Sequence, residues 1–516
     1  MRTMNDRDAG AARPTETRRR WKVGVLVTAV TVLAAACDLD VMNPGEILDE
    51  DLRDPVILGP LLTGAESDYS RGLVDYRGGV ISHGGLMTDE LVHSGSLIAL
   101  QLASHGRPGI VDGQGLWDRP AAARWVTENA IRLGSLIVAD QAEDPDLDPR
   151  TIVDPDAHPG IARITFFAGM SHRTLGDNFC NVVYDVGPLL PYTDAYPRAI
   201  EHFENTIMRA SNRIAAVQAD TTLDPGAIAN EIDRMDRLIQ AANGAMAQSY
   251  LILASEKMGE QYWDLAAYHA GKVDTDFAFS ARMQSGDRNT NEYNSLTRSR
   301  VEVTMWGTTF ADWGLNVEEP ENGGDPRVPY EAHLLPDGRY EAAYDSRRPA
   351  FIQRRYTSNS ANIPLVKGTE MRLIEAEVAL VRQGDYQMVV DKINEVREHY
   401  REVPPGWWHD LLGSEPLPLH DPVSSVEEAW AALMRERGVE LFAEGRRLSD
   451  IRRWQHTPGR EHIPFTTVRA GSGLADPWTD EQVSVFVRDN GEVIPPSEMC
   501  LQISLNERSA NPNIEG

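Results

Sequence analysis

Ile200, Phe203, Ile207, Ala210 and Ile214 recur at spacings of 3, 4, 3 and 4, which draws one apolar stripe along a helix. The same periodicity predicts helices over about 55–76, 119–140, 160–177, 196–218, 227–257 and 260–273. Trp125 and Trp263 fall inside these patterns and are expected in the core, as is Trp430 further on. Residues 77–118 and 275–365 carry no sustained period. The second stretch is rich in Gly, Asn, Asp, Pro and aromatic residues, with strand-like pieces such as Arg300 to Met305, and reads as an irregular insertion. Helical pattern returns at 369–383, where Met371, Ile374, Val378 and Val381 share a face, and at 386–401, where Val389, Ile393 and Val396 do. The Gly384-Asp385 break between them makes a helical hairpin, the unit of TPR-like arrays. Such a unit cannot bury its apolar face alone, so several must stack. The expected fold class is mainly α, with TPR-like hairpins forming a scaffold and loop-rich insertions between them. Ser425 and Glu428 predict a capping box that opens one further helix, to about 443.

The first residues change the compartment. Arg18, Arg19, Arg20 and Lys22 precede an uncharged 14-residue run, Val23 to Ala36, which stops at Cys37. A basic segment, a short apolar run and small residues before the cut make a secretory signal. The run is shorter than the roughly 20 residues that span a bilayer. Leu33-Ala34-Ala35-Ala36-Cys37 resembles the lipobox of bacterial lipoproteins, so the Cys37 thiol is expected to carry lipid. Residues 1–36 are then the signal peptide, the acidic 37–54 an anchored tether, and 55–516 one domain, because no linker or low-complexity tract divides it. Loss of residues 1–36 takes seven Lys/Arg and three Asp/Glu from totals of 50 and 78, leaving a net charge of −32. A surface that acidic repels phosphate backbones, which excludes nucleic acid and disfavours anionic ligands. Cys180 and Cys500 remain, an even number in an oxidising compartment: either a disulfide or two buried thiols. No Cys/His spacing indicates a metal site, and no cofactor motif occurs.

The most informative string is Glu436 to Trp454, ERGVELFAEGRRLSDIRRW. Glu436, Glu440 and Glu444 repeat at i, i+4, a repulsive stripe unless cations neutralise it. Arg437, Arg446, Arg447 and Arg452 are the expected partners, and Gly445 suits a left-handed helix end. Arginines at this density hold carboxylates ionised, which favours a structural network, completed by Asp450, Arg453 and Trp454, over a catalytic site.

The string resembles the C-terminal signature of the SusD/RagB family, roughly E-R-x-x-E-L-x-x-E-G-x-R-x-x-D-L-x-R-W. Ile363-Pro364-Leu365 with Glu370 to Glu377, and Ile393-Asn394-Glu395-Val396-Arg397, resemble the family's helical hairpin. Cys37 to Val41, Asn43-Pro44 and Thr88-Asp89-Glu90 resemble its N-terminal segments. Gly438 departs from the pattern where a charged residue is usual, and Leu448 where an aromatic is frequent. The resemblance implies a surface lipoprotein without catalysis or cofactor, outward-facing on the outer membrane. Such a protein captures an oligosaccharide or peptide and delivers it to a TonB-dependent, SusC-like transporter. It also implies that the ligand face is built from about 77–118 and 275–365. Trp117, Trp306 and Trp313 are the candidate aromatics there, with Asp89, His93, Arg107 and Tyr293 as polar companions. A protein-binding TPR scaffold and a surface glycoside hydrolase are the competing classes; the G-x-S-x-G, H-E-x-x-H and P-loop strings are absent.

Overall fold

Asp224 opens the longest helix by accepting from the amides of Gly226 and Ala227 at 2.9 and 3.1 Å, with Pro225 at the first helical position. The helices that begin at Pro159 and Val426 are capped likewise, by His158 and Ser425, while most of the others begin without a side-chain cap. The computed structural model describes residues 53–514 except 105–112, 144–145, 148–152, 287–288, 403–416, 459–466, 470–481 and 485–498. The signal segment, Cys37, most of the tether, Arg107, Trp407 and Trp408 lie outside the described residues. The principal helices are α1 Leu58–Leu86, α2 Asp118–Ala142, α3 Pro159–Asn178, α4 Ala195–Ala219, α5 Pro225–Ser255 and α6 Gln261–Ala270, then α7 Gly368–Gln383, α8 Tyr386–Glu402, α9 Val426–Glu440 and α10 Arg447–Trp454. From α1 to α6 each helix packs on its successor, and α7 packs on α6, α8 and α9. Stacking thus passes over the irregular insertion and resumes where periodicity returns. The fold is mainly α. Its strands are mostly short, and their pairings include Ala278–Ala281 with Ile363–Lys367 and Asp325–Ala332 with Phe351–Gln353.

Two boundaries differ from expectation. The first helix runs to Leu86, past Gly78-Gly79 and Gly84-Gly85, because Val80, Ile81 and Leu86 are buried and packing outweighs glycine's low helix propensity. The capping box is shared: the Ser425 hydroxyl accepts from the Glu428 amide at 3.1 Å, but the Glu428 carboxylate turns to the amide and hydroxyl of Ser424, at 2.7 and 2.8 Å. Trp263 and Trp430 are core residues, whereas Trp125 is 55% exposed. On α2 it occupies the side away from α1 and α3, a distinction that lies within one turn of the helical pattern.

Cys180 and Cys500 form a disulfide that spans 320 residues of chain. The Cys180 amide also donates to the carbonyl of Leu501 at 3.0 Å, and the Leu501 amide to that of Asn178 at 2.7 Å, so the C-terminal tail is stitched to the end of α3. Cys500→Ser is expected to lower unfolding free energy by about 2–4 kcal/mol, through the loop entropy restored to the unfolded chain. Urea denaturation of the two proteins at one pH measures the difference.

Candidate functional site

The two segments expected to build a ligand face meet at an antiparallel ladder, Val92 opposite Thr304 and His93 opposite Val303. Beside it the Glu302 carboxylate, fully buried, accepts from the amides of Ser96 and Leu97 at 2.7 and 3.3 Å and from the Arg300 guanidinium at 2.9 Å. That carboxylate reaches the loop only because residue 95 is glycine: a Cβ there would stand 1.8 Å from Glu302 Oε2. Val301 holds φ at 46°, an outlier for a β-branched residue. It follows a wide π-type turn, Ser295–Ser299, closed by the Arg300 amide on the Ser295 carbonyl at 3.0 Å. Ser346, with φ at 56°, is a second strained position, distant in the chain but brought to the junction by its neighbours: the Asp345 amide donates to the Ser94 carbonyl at 2.8 Å. Strain of this kind costs about 1–3 kcal/mol per residue and persists where the surroundings over-determine it, commonly at binding sites. Around this junction Ile98 is 66% exposed and Tyr344 57% exposed. The Tyr344 amide donates to the Val301 carbonyl and the Leu97 amide to Glu302, so both groups stand on the strained pair.

Most of the residues singled out from sequence lie elsewhere. Trp117, Trp306 and Tyr293 are 1%, 2% and 1% exposed. Trp117 packs edge-on against Phe179 and Tyr293 against Tyr356, so these rings stabilise the scaffold and are not ligand platforms. Asp89 is buried in a two-pronged ion pair with Arg447, at 2.7 and 2.8 Å, and His93 is buried in the ladder. Among the described candidates only Trp313 keeps an edge at the surface, resting on Phe310 and near the guanidinium groups of Arg435 and Arg447. Its seat explains one departure in the signature: a Cβ on Gly438 would come within 2.9 Å of Trp313 Cζ3 and 3.4 Å of Phe310 Cζ. Ile98 and Tyr344 went unremarked because an exposed apolar residue in an aperiodic segment carries no sequence mark. The turn chemistry of Asp345 and Ser346 was the available signal.

The glutamate stripe is neutralised, but by different cations than the sequence suggested. Glu436 accepts from Arg327 at 2.7 Å and from Arg397 at 2.8 Å. Glu440 is held by Lys367 at 2.9 Å, the Tyr400 hydroxyl at 2.8 Å and the Thr369 hydroxyl at 2.6 Å, and Glu444 by Arg355 at 2.7 Å and Lys367 at 2.9 Å. Burial alone would raise the Glu440 pKa, yet Lys367 and Arg327 outweigh it and hold it at about 2. The string's own arginines take other partners, within the string and outside it. Arg437 grips Asp450, Arg447 grips Asp89, Arg453 grips Glu377 and Asp450, and Arg452 donates to the carbonyls of Gly176 and Phe179. Arg446 donates to the Leu365 carbonyl. Trp454 donates from its indole to Glu377, and Gly445 takes the left-handed conformation, φ 73°, after the helix end. The segment is thus a buried clasp joining α1, α3, α7, α8 and the insertion. Glu436, Glu440, Glu444 and Asp450 are each held by at least one cation, which leaves no free pair among these described residues for acid–base work.

A second concavity, about 680 Å³, lies between α8 and the start of the insertion. It is lined by Asp276, Asp391, Glu395, Glu398 and Glu402 with His399. Among the described residues it offers carboxylates and no Trp, Tyr or Phe ring on which a sugar face could stack.

Residues 345–515 match the model of the SusD family. Among solved structures the chain is similar to a SusD superfamily protein from Parabacteroides distasonis, at 14% identity and a TM-score of 0.54 over 89% of this chain and 98% of that one. It is also similar to a SusD superfamily protein from Bacteroides vulgatus, at 14% identity and a TM-score of 0.56 over 90% and 98%. A SusD-like carbohydrate-binding protein from Bacteroides vulgatus aligns at 14% identity and a TM-score of 0.52 over 89% and 96%. No curated protein matches the sequence. At such identities the structural likenesses establish the fold.

Proposed function

We propose that the chain is a member of the SusD/RagB family, whose model matches residues 345–515, and that it is a surface nutrient-binding lipoprotein. In this reading it captures a neutral oligosaccharide or a peptide and passes it to a TonB-dependent outer-membrane transporter. The observation that carries the reading is the strained Val301–Glu302 junction, where both expected ligand segments converge and Tyr344 and Ile98 are presented to solvent. An exposed ring supplies an apolar plane, and the half-exposed Arg300 guanidinium beside it supplies donors for hydroxyl or carbonyl groups. The carbohydrate-binding description of one structural neighbour favours a glycan as the first ligand to try. Among the described residues no helix is long and apolar enough to cross a membrane, so attachment in this reading falls to lipid on Cys37. Catalysis is not part of the proposal, since the densest group of carboxylates is clamped by cations.

An open platform that must also release its cargo binds weakly, with a Kd of about micromolar to millimolar, or roughly −4 to −8 kcal/mol. The test is a panel of neutral glycans and peptides titrated against the detergent-solubilised protein and its Tyr344→Ala variant. Tyr344→Ala is expected to weaken binding by about 1–3 kcal/mol with an unchanged melting temperature. A β-barrel partner is expected to co-purify from the native membrane. Equal affinity in the variant moves the site elsewhere, and turnover of a glycan overturns the reading.

A further inference from the structure

Three helices of the scaffold bring one side chain each to a common point that neither the clasp nor the ligand face uses. Glu128 comes from α2, His172 from α3 and His202 from α4. His172 Nε2 lies 2.8 Å from Glu128 Oε1, His202 Nε2 lies 3.6 Å from the same oxygen, and the three candidate ligand atoms all fall within 4.8 Å of one another. The imidazoles are stacked at 5.3 Å with 20° between their planes, so two ring nitrogens point the same way at one carboxylate oxygen. We propose that Glu128, His172 and His202 form a binding site for a divalent transition-metal ion of the zinc class, which staples α2, α3 and α4 together.

The chemistry and spacing suit that ion. Two imidazole nitrogens and one carboxylate oxygen are a recurring zinc ligand set, at about 2.0–2.2 Å from the metal. Tetrahedral geometry at those lengths separates ligand atoms by roughly 3.3 Å, between the 2.8 and 3.6 Å of the two pairs to Glu128. Hard cations such as calcium take six or more oxygens and fit this donor set poorly. The His172 side chain is 1% exposed, so its imidazole is held in place by the packed helices around it. Its other ring nitrogen lies 3.4 Å from the Tyr184 hydroxyl, the position of an outer partner that fixes ring orientation. The Glu128 and His202 side chains are 32% and 21% exposed, which leaves an entry path and a fourth position for water. Arg124 donates to the second Glu128 oxygen at 2.8 Å, a charge that opposes a dication. Asp185 takes the same guanidinium at 3.0 Å, so the two carboxylates with one guanidinium carry a net negative charge.

The sequence could not show this site. Its ligands lie on separate helices, 44 and 30 residues apart, and form no local metal motif. The competing arrangement is metal-free, with His172 donating a hydrogen bond to Glu128. The two are separated by stripping the full-length, detergent-solubilised protein with a chelator, then titrating it with zinc alone and, in parallel, with cobalt(II) as a coloured probe. One saturable equivalent per chain is expected. The cobalt form should show the intense visible bands of a tetrahedral site, and zinc should raise the melting temperature. His202→Ala, on a partly exposed position, is expected to fold normally by circular dichroism and to lose the cobalt bands and the zinc-dependent rise. Glu128→Gln tests the oxygen ligand independently. Absence of saturable binding in the parent protein, or unchanged stoichiometric binding in both variants, overturns the proposal.

Discussion

Glu440→Ala is expected to lower unfolding free energy by about 3–5 kcal/mol, the usual cost of removing one member of a buried ionic group. The carboxylate is 2% exposed and accepts from Lys367, Arg327, Thr369 and Tyr400. Its loss leaves an excess of buried cation, because Lys367 and Arg327 must then share Glu444, Asp325 and Glu436 with Arg355 and Arg397. The pH dependence follows from the depressed carboxylate. Its pKa is about 2 in the fold against 4.5 in the unfolded chain, so its contribution is complete above pH 4.5 and disappears as pH falls toward 2. Denaturant titrations of parent and variant should therefore differ most near neutrality and converge in acid. A constant gap down to pH 2 would contradict the ionised clasp.

Glu90→Gln should act in the opposite sense. Burial raises the Glu90 pKa to about 8, only partly offset by the Ala443 amide, which donates to it at 3.0 Å, and by Arg447. The unfolded chain releases this proton near pH 4.5 while the fold retains it. Stability therefore declines as pH rises from about 4.5 to 8, by up to roughly 1.4 kcal/mol per pH unit. Glutamine keeps an oxygen for the Ala443 amide and has no proton to lose. The variant should match the parent near pH 4.5 and exceed it by about 4–5 kcal/mol above pH 8. Parallel stability curves for the two proteins across that range would show that Glu90 is ionised in the fold.

The scaffold was legible because amphipathic helices state their own faces. Met371, Ile374 and Val378 on α7 and Val389, Ile393 and Val396 on α8 are buried as their spacing requires. The clasp was legible as a network but not as a wiring diagram. The cations on Glu436 and Glu440 include Arg327, more than a hundred residues earlier in the chain, and no local pattern encodes that distance. The proposed ligand face rests on a pair of segments that the sequence marks only as aperiodic. Trp117, Trp306 and Tyr293 stood out there as aromatic rings in aperiodic sequence, but whether such a ring faces core or solvent is decided by tertiary neighbours. His172 and His202 were silent for the same reason: two histidines on different helices become one site only when the helices stack.

Because α7 docks directly on α6, everything between Ala270 and Gly368 enters and leaves the scaffold at adjacent points. Closing such an excursion costs little more as it lengthens, about 0.6 kcal/mol for each doubling. Mutation can therefore lengthen or shorten the parts of that excursion lying between Arg327, Arg355 and Lys367, its contributions to the clasp, while the helix array keeps its register. Arg327, Arg355 and Lys367 are then the fixed points of a stretch whose remaining length is open to change.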